Sequence, residues 1–125
     1  MADSYEVAAA FRAELRRFLR RSEDSSRAHG ITPRQHLLLL QIAGASGGVT
    51  TVSDLVNTLS LTQSAVTELV QRAELAGLVE RAPSPEDGRV VHLSLTKLGS
   101  EKLAAVHGDL GPERAQLRRV FDNLN

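Results

Sequence analysis

The chain has 125 residues, 42% of them apolar and 24% charged, which fits one domain around one core and argues against wholesale disorder. Fifteen basic residues balance fifteen acidic ones, and there is no cysteine, which removes disulfides, thiolate metal sites and thiol redox switches. The longest apolar run, Leu37 to Leu40, falls far short of the ~18–20 residues that cross a bilayer, and the N-terminus lacks a basic-then-apolar secretory signal, so the expected location is the cytoplasm with no membrane partner.

In chain order, the first helix is expected from Tyr5 to about Arg27. Val7, Phe11, Leu15, Phe18 and Leu19 recur at helical spacing as one apolar stripe, and Arg12, Arg16 and Arg20 form a second row. Ala28-His29-Gly30 ends this helix. Thr32 caps the next one, Pro33 suits its first position, and Gln35 completes a capping box. Leu37–Leu40 and Ile42 are apolar nearly all round, as in a buried central helix. Gly44-Ala45-Ser46-Gly47-Gly48 breaks it.

Val49-Thr50 reads as a short strand, and Thr51 caps a short helix with Asp54 at its third position and Leu55, Val56 and Leu59 as core residues. Ser60-Leu61 makes a turn before Thr62, which caps a further helix. Leu61 and Val66 stand at the spacing of a hydrophobic staple. Val66, Leu69, Val70 and Ala73 form this helix's buried stripe and leave Gln63, Ser64, Thr67, Gln71 and Arg72 on or beside its exposed face. Gly77 then sits where a left-handed cap is wanted, with Leu78 as its apolar partner. Leu78–Ala82 and Arg89–Leu95 read as two strands bracketing Pro83-Ser84-Pro85-Glu86-Asp87-Gly88. In the second, Val91, Leu93 and Leu95 face one way. Thr96 caps a helix running to about His107. After a break at Gly108–Pro112, a last helix over Glu113–Leu124 carries Leu117, Val120, Phe121 and Leu124 on one side.

The fold class is therefore mainly α with a small antiparallel β-wing: a winged helix-turn-helix core over 31–95, flanked by N- and C-terminal helices over 5–27 and 96–124, in a single domain spanning 1–125. Helix, tight turn, helix, then a hairpin is an order that places one helix in a DNA major groove and a hairpin tip near the adjacent backbone. The flanking helices each have an apolar side to cover, and pairing with a second copy is the simplest cover. A two-fold pair also matches half-sites about one turn of DNA, ~34 Å, apart.

Thr32-Pro33-Arg34-Gln35, Leu61-Thr62-Gln63-Ser64-Ala65-Val66-Thr67, Gly77-Leu78-Val79-Glu80-Arg81, Pro85-Glu86-Asp87-Gly88-Arg89 and Leu93-Ser94-Leu95-Thr96 with Gly99 together resemble the MarR family of bacterial transcription regulators, over nearly the whole chain. The wing pattern of Asp, one residue, Arg, then a strand ending in Leu-Thr is the most specific part. The resemblance implies a homodimeric winged-helix repressor on a pseudo-palindromic operator, often released by a small, frequently aromatic or phenolic ligand. By position it implies that Arg89 reaches the minor groove or its phosphates, that Asp87 orients Arg89, and that Gln63, Ser64 and Thr67 are the groove-facing start of the recognition helix. Two departures stand out. Glu68 occupies a place where family members commonly carry a basic residue, which argues for a lost phosphate contact and an added repulsion. The chain is also short for the family, with an abbreviated last helix, which argues for a smaller or weaker dimer.

The candidate DNA-binding residues are thus Thr62, Gln63, Ser64, Thr67, Arg72, Asp87 and Arg89, with Arg72 a phosphate contact. The competing reading of Arg89 is a solvated hairpin arginine paired with Asp87 or Glu86. That of Gln63, Ser64 and Thr67 is an ordinary exposed helix start. From Thr32 to Lys97 five basic residues (Arg34, Arg72, Arg81, Arg89, Lys97) face six acidic ones (Asp54, Glu68, Glu74, Glu80, Glu86, Asp87), so nonspecific DNA affinity should be modest and salt-sensitive. The row Arg12-Arg16-Arg20 reads as a solvated face paired with Glu23 and Asp24.

Gly44-Ala45-Ser46-Gly47-Gly48 matches the Gly-x-Ser-x-Gly elbow, but that elbow needs a strand before and a helix directly after, so it reads as a loop. His29, His36, His92 and His107 lack short metal-ligand spacing, and His36 reads as a packing residue. No cofactor, metal site or catalytic set is expected. The runner-up function is a winged-helix protein-interaction module or ligand sensor that has lost DNA binding, motivated by the balanced charge and Glu68.

Overall fold

The computed structural model describes residues 4–123; Leu124, expected on the last helix, lies outside them. Six α-helices and two strands follow in the order α1 (Tyr5–Ala28), α2 (Pro33–Ala43), α3 (Val52–Leu59), α4 (Gln63–Leu75), β1 (Val79–Pro83), β2 (Val91–Leu95), α5 (Lys97–Asp109) and α6 (Gly111–Asp122). The chain divides into two compact units: one holds the described residues up to Pro33 together with those from Ala105 onward, and the other holds Arg34–Ala104. No helix among the described residues is long and apolar enough to cross a membrane.

In the unit over 34–104, Leu38, Leu39 and Ile42 of α2, Leu55 of α3, and Val66, Leu69, Val70 and Ala73 of α4 are buried, with Leu78, Val79, Leu93 and Leu103. The stripe expected on α4 is the one found. The all-round burial expected for α2 is not: Leu37 and Leu40 are each 40% exposed, because only one side of an eleven-residue helix meets the core. Local chemistry sets the helix starts. Thr51 Oγ1 accepts from the Asp54 N–H at 3.2 Å, and Thr62 Oγ1 accepts from the Ala65 N–H at 3.1 Å, each satisfying a donor that a first turn leaves over. Between α3 and α4, Ser60 takes the left-handed conformation (φ 54°), which gives the tight turn its sharp reversal.

The end of α4 is a Schellman closure. Leu78 N–H donates to the Ala73 carbonyl and Gly77 N–H to the Glu74 carbonyl, both at 2.9 Å, with Gly77 at φ 76°. The same corner receives the start of α5. Thr96 N–H donates to the Leu78 carbonyl at 3.1 Å and Thr96 Oγ1 donates to the Gly77 carbonyl at 2.5 Å, while Gly99 N–H caps back onto Thr96 Oγ1 at 3.0 Å. A Cβ at Gly99 would stand 2.1 Å from the Leu78 carbonyl oxygen. This contact gives the Thr96-x-x-Gly99 motif its physical meaning.

The strands pair antiparallel, Val79 with Leu95 through Pro83 with Val91. Thr50 joins as a single bridge, exchanging bonds with Leu93 at 3.1 and 2.8 Å, so the strand expected at Val49-Thr50 shrinks to one residue. The wing strands begin one or two residues later than expected. Arg89 and Val90 lie in the turn, and of the alternating set only Leu93 is fully buried, Val91 being 41% exposed.

In the other unit, α1 starts on Ser4, whose Oγ accepts from the Val7 N–H. It packs along α6, with Phe11 and Phe121 rings 5.9 Å apart and Arg21 3.8 Å from Glu113. His29 Nε2 and Ser25 Oγ both hydrogen-bond Asp109 Oδ2, at 2.7 and 2.9 Å, joining the last turns of α1 and α5. The His29 contact, with Ser25 second, holds the Asp109 carboxyl below its usual range. Arg12, Arg16 and Arg20 are exposed, but among the described residues their expected pairing with Glu23 and Asp24 does not form. The α1 arginines that pair are Arg17, to Glu14, and Arg21. α6 begins at Gly111, two residues before the expected start, with Pro112 in its first turn.

Gly99→Ala is expected to lower unfolding stability by roughly 1–3 kcal/mol, since the added methyl meets backbone that cannot move without opening the α4–β1 corner. Urea unfolding checks this: the midpoint should fall with the slope unchanged, and an unmoved midpoint would refute the role given to this corner.

Candidate nucleic-acid interface

α4 carries its polar residues opposite its buried stripe. At 3.6 residues per turn, Ser64, Glu68 and Gln71 fall at the centre of the exposed side, with Thr67 and Arg72 flanking them and Gln63 at its edge. Gln63, Ser64, Glu68, Gln71 and Arg72 are exposed, and Thr67 is half-buried. Thr62 is the helix cap, so its hydroxyl oxygen is already engaged by Ala65. The N-terminal turn also presents backbone N–H groups without intrahelical partners, a feature suited to a phosphate oxygen.

The wing tip is built by local hydrogen bonds. Ser84 N–H donates to the Val90 carbonyl at 2.8 Å, and Val90 N–H to the Asp87 carbonyl at 2.9 Å. Ser84, 8% exposed, accepts from the Glu86 N–H at 3.3 Å and so pins the inside of the loop. Asp87 Oδ1 accepts from the Arg89 backbone N–H at 3.1 Å, closing an Asx turn, and from Arg89 Nε at 3.2 Å, while Oδ2 lies 3.4 Å from Arg89 Nη2. The Arg89 side chain, first, and its backbone N–H, second, hold the Asp87 carboxyl below its usual range. With 92% of its side chain exposed, the Arg89 guanidinium stands at the turn facing solvent, in contact with the Asp87 carboxylate.

Two ion pairs complete the surface. Glu74 takes Arg81 Nε and Nη2 at 2.9 and 2.6 Å, fastening the last turns of α4 to β1 and raising the Arg81 pKa. Glu68 takes Arg72 Nη2 at 2.8 Å, one turn along α4. The expectation for Glu68 is a lost phosphate contact and an added repulsion, and for Arg72 a phosphate contact, with no pairing between them. Their i, i+4 spacing, Glu first, is the signal that pairs them. Among the described residues no hydrogen bond or ion pair joins the exposed side of α4 to the wing tip, so the candidate residues form two clusters, Thr62–Arg72 on the helix and Asp87–Arg89 on the wing. No group of three or more His, Asp or Glu side chains among the described residues is arranged to hold a metal ion.

A helix-turn-helix whose second helix is solvent-facing, followed by a hairpin with an arginine at its tip, defines a winged helix-turn-helix protein. The chain matches the MarR family profile over residues 29–90. It is 32% identical over 83 residues to the transcriptional repressor MdtR of Bacillus subtilis (strain 168), which covers 66% of this chain and 52% of that protein. It is 36% identical over 56 residues to the transcriptional repressor IacR of Pseudomonas putida, covering 45% of this chain and 34% of that one. The aligned segments thus span about a third to a half of those relatives' own length. Among solved structures, wild-type MarR from E. coli in its apo form superposes with a TM-score of 0.74 at 25% identity, over 90% of this chain and 82% of that one. A mutant MarR from E. coli complexed with operator DNA superposes at 0.70 and 24% identity, over 90% and 80% of the two chains. The chain belongs to the MarR family.

Because the partnered Asp87 carboxyl titrates below the usual range, the Asp87–Arg89 tether is present above that range and is lost as pH falls through the lowered value. A carbon-13 titration of the Asp87 carboxyl should show this low midpoint, and Arg89→Ala should move it back toward that of an ordinary aspartate. An unshifted Asp87 in the native protein would mean the tether is not formed in solution.

Proposed function

We propose that this chain is a sequence-specific DNA-binding transcriptional repressor that acts in the cytoplasm as a homodimer on a pseudo-palindromic operator. The observation that carries the reading is the pairing of an exposed polar side on α4 with an arginine that Asp87 holds outward at the wing tip. In this reading Gln63, Ser64 and Thr67 meet base edges or phosphates in the major groove, Thr62 sets the helix start beside a phosphate, and Arg72 lies against the backbone. Arg89 reaches the minor groove or its phosphates. The names of the relatives, two of them repressors, and the operator complex of E. coli MarR support it.

The dimer is assigned to the terminal helices. α1 and α6 cover only part of each other's apolar side, leaving Phe121 at 53% exposure in a groove of about 920 Å³ lined by Phe11, Leu15, Phe18 and Leu117, and Leu19 at 50% exposure on a neighbouring depression of α1 that shares Phe11 and Leu15. A second copy laid on this side buries it and gives two α4 helices for two half-sites. A small-molecule effector acting on this groove is the regulatory part of the reading.

The runner-up, a protein-interaction module without DNA affinity, has one observation on its side: Glu68 neutralises Arg72 on the face that would meet phosphate. The two readings part at low salt. Duplexes selected from a random-sequence library should bind at ~50 mM salt, and Arg89→Ala should weaken that binding with the fold intact by circular dichroism. No duplex binding at that salt would hand the case to the interaction module. Separately, Leu19→Glu should convert the dimer to a folded monomer in sedimentation, with operator affinity falling in parallel; an unchanged dimer would remove α1 from the interface.

A further inference from the structure

In the unit over 34–104, the three wing and recognition-helix arginines each face a carboxylate, but the three pairs do different things. Glu74 grips Arg81 through two nitrogens and joins helix to strand. Asp87 spends part of its charge on the Arg89 backbone N–H, and so also builds the wing turn. Glu68 has Arg72 as its one hydrogen-bonding or ion-pair partner among the described residues, caps nothing and joins no two elements. Both members stay open to solvent, with side chains 72% exposed for Arg72 and 63% for Glu68. Glu68 lies near the middle of the outward side of α4, between Ser64 and Gln71, and not at its margin.

An exposed i, i+4 pair is weak, so it does not lock Arg72 in place. The carboxylate charge nevertheless stays one turn from the guanidinium, and any approach of α4 to a duplex brings both toward the same phosphates. The counterions that Arg72 would displace are then offset by the repulsion Glu68 introduces. We propose that Glu68 is an affinity-limiting residue: it cancels Arg72 on the recognition helix, suppresses nonspecific attachment to duplex phosphates and leaves discrimination to the hydrogen-bonding side chains around it. This rests on the DNA-binding function proposed above and assigns Glu68 a purpose that function alone does not require.

Glu68→Gln keeps the shape and removes the charge, and nothing in the fold depends on the carboxylate. A mixed-sequence 24-base-pair duplex, titrated by fluorescence anisotropy over a salt series, reads the effect. The slope of log affinity against log salt should steepen by ~0.9, which corresponds to about eightfold tighter binding at ~0.1 M salt. Adding Arg72→Ala to Glu68→Gln should return both slope and affinity to the native values, whereas Arg72→Ala in the native background leaves the Glu68 charge unopposed and should flatten the slope and weaken binding by a similar factor. Binding by the Gln variant alone, with the native chain silent on this duplex, also supports the proposal. Native binding that Arg89→Ala weakens, together with a Gln variant of unchanged slope and affinity, overturns the role of Glu68 and leaves the DNA-binding function standing. Silence of both chains on this duplex and on library-selected duplexes at ~50 mM salt overturns the two together.

Discussion

The contact on which the winged unit depends is the approach of the α5 backbone to the end of α4. Gly77 turns the chain out of the helix, Leu78 closes the Schellman bond, and the Leu78 carbonyl then accepts from Thr96 with Gly99 lying against it. Everything on the presenting surface is measured from this corner. It sets the last turn of α4, and so the angular position of Ser64, Glu68 and Gln71. It also sets the first residue of β1 and the last of β2, and so the root of the wing. A side chain larger than hydrogen at Gly99 would push these apart, which is a packing constraint and not a requirement of the glycine's own φ. The Arg81–Glu74 pair adds a second fastening across the same joint, on the solvent side, where ion pairs contribute little each and mainly orient.

Charge on this surface is arranged in pairs. A chain with zero formal charge has no general attraction for a polyanion, so any duplex affinity must come from placement. The wing arginine is placed by a carboxylate that also shapes its turn, which limits the conformational freedom lost when the guanidinium is used. The helix arginine faces a carboxylate with no second task. The contrast between these two pairs separates an orienting acid from a neutralising one, and it rests on what else each carboxylate bonds.

Much of this was legible in the residues. The helix starts were written by Thr51 and Thr62, the end of α4 by Gly77, and the buried stripe of α4 by its spacing, because caps and periodicity act over a few residues and need no partner from afar. Arg89 and Asp87 were likewise legible as neighbours two positions apart. What failed was of another kind. Leu37 and Leu40 were read as buried from their apolar character alone, yet a helix hides only the side that has something to meet. Val49-Thr50 was read as a strand, but strand length depends on how much partner backbone lies alongside, and only Leu93 does. The row Arg12-Arg16-Arg20 is assigned partners by charge alone, yet among the described residues the α1 arginines that pair are two others, Arg17 with Glu14 and Arg21 with Glu113 on α6.

The sequence alone therefore determined the order and type of the elements and the family they belong to, since these follow from short-range chemistry carried by a few adjacent side chains. Only the tertiary structure decided which apolar residues stay exposed, why Gly99 tolerates no side chain, and how Ser84 pins the inside of the wing. Each of these depends on what a distant stretch of chain, or a loop folded back on itself, brings within a few ångströms, and spacing along the chain does not encode that distance.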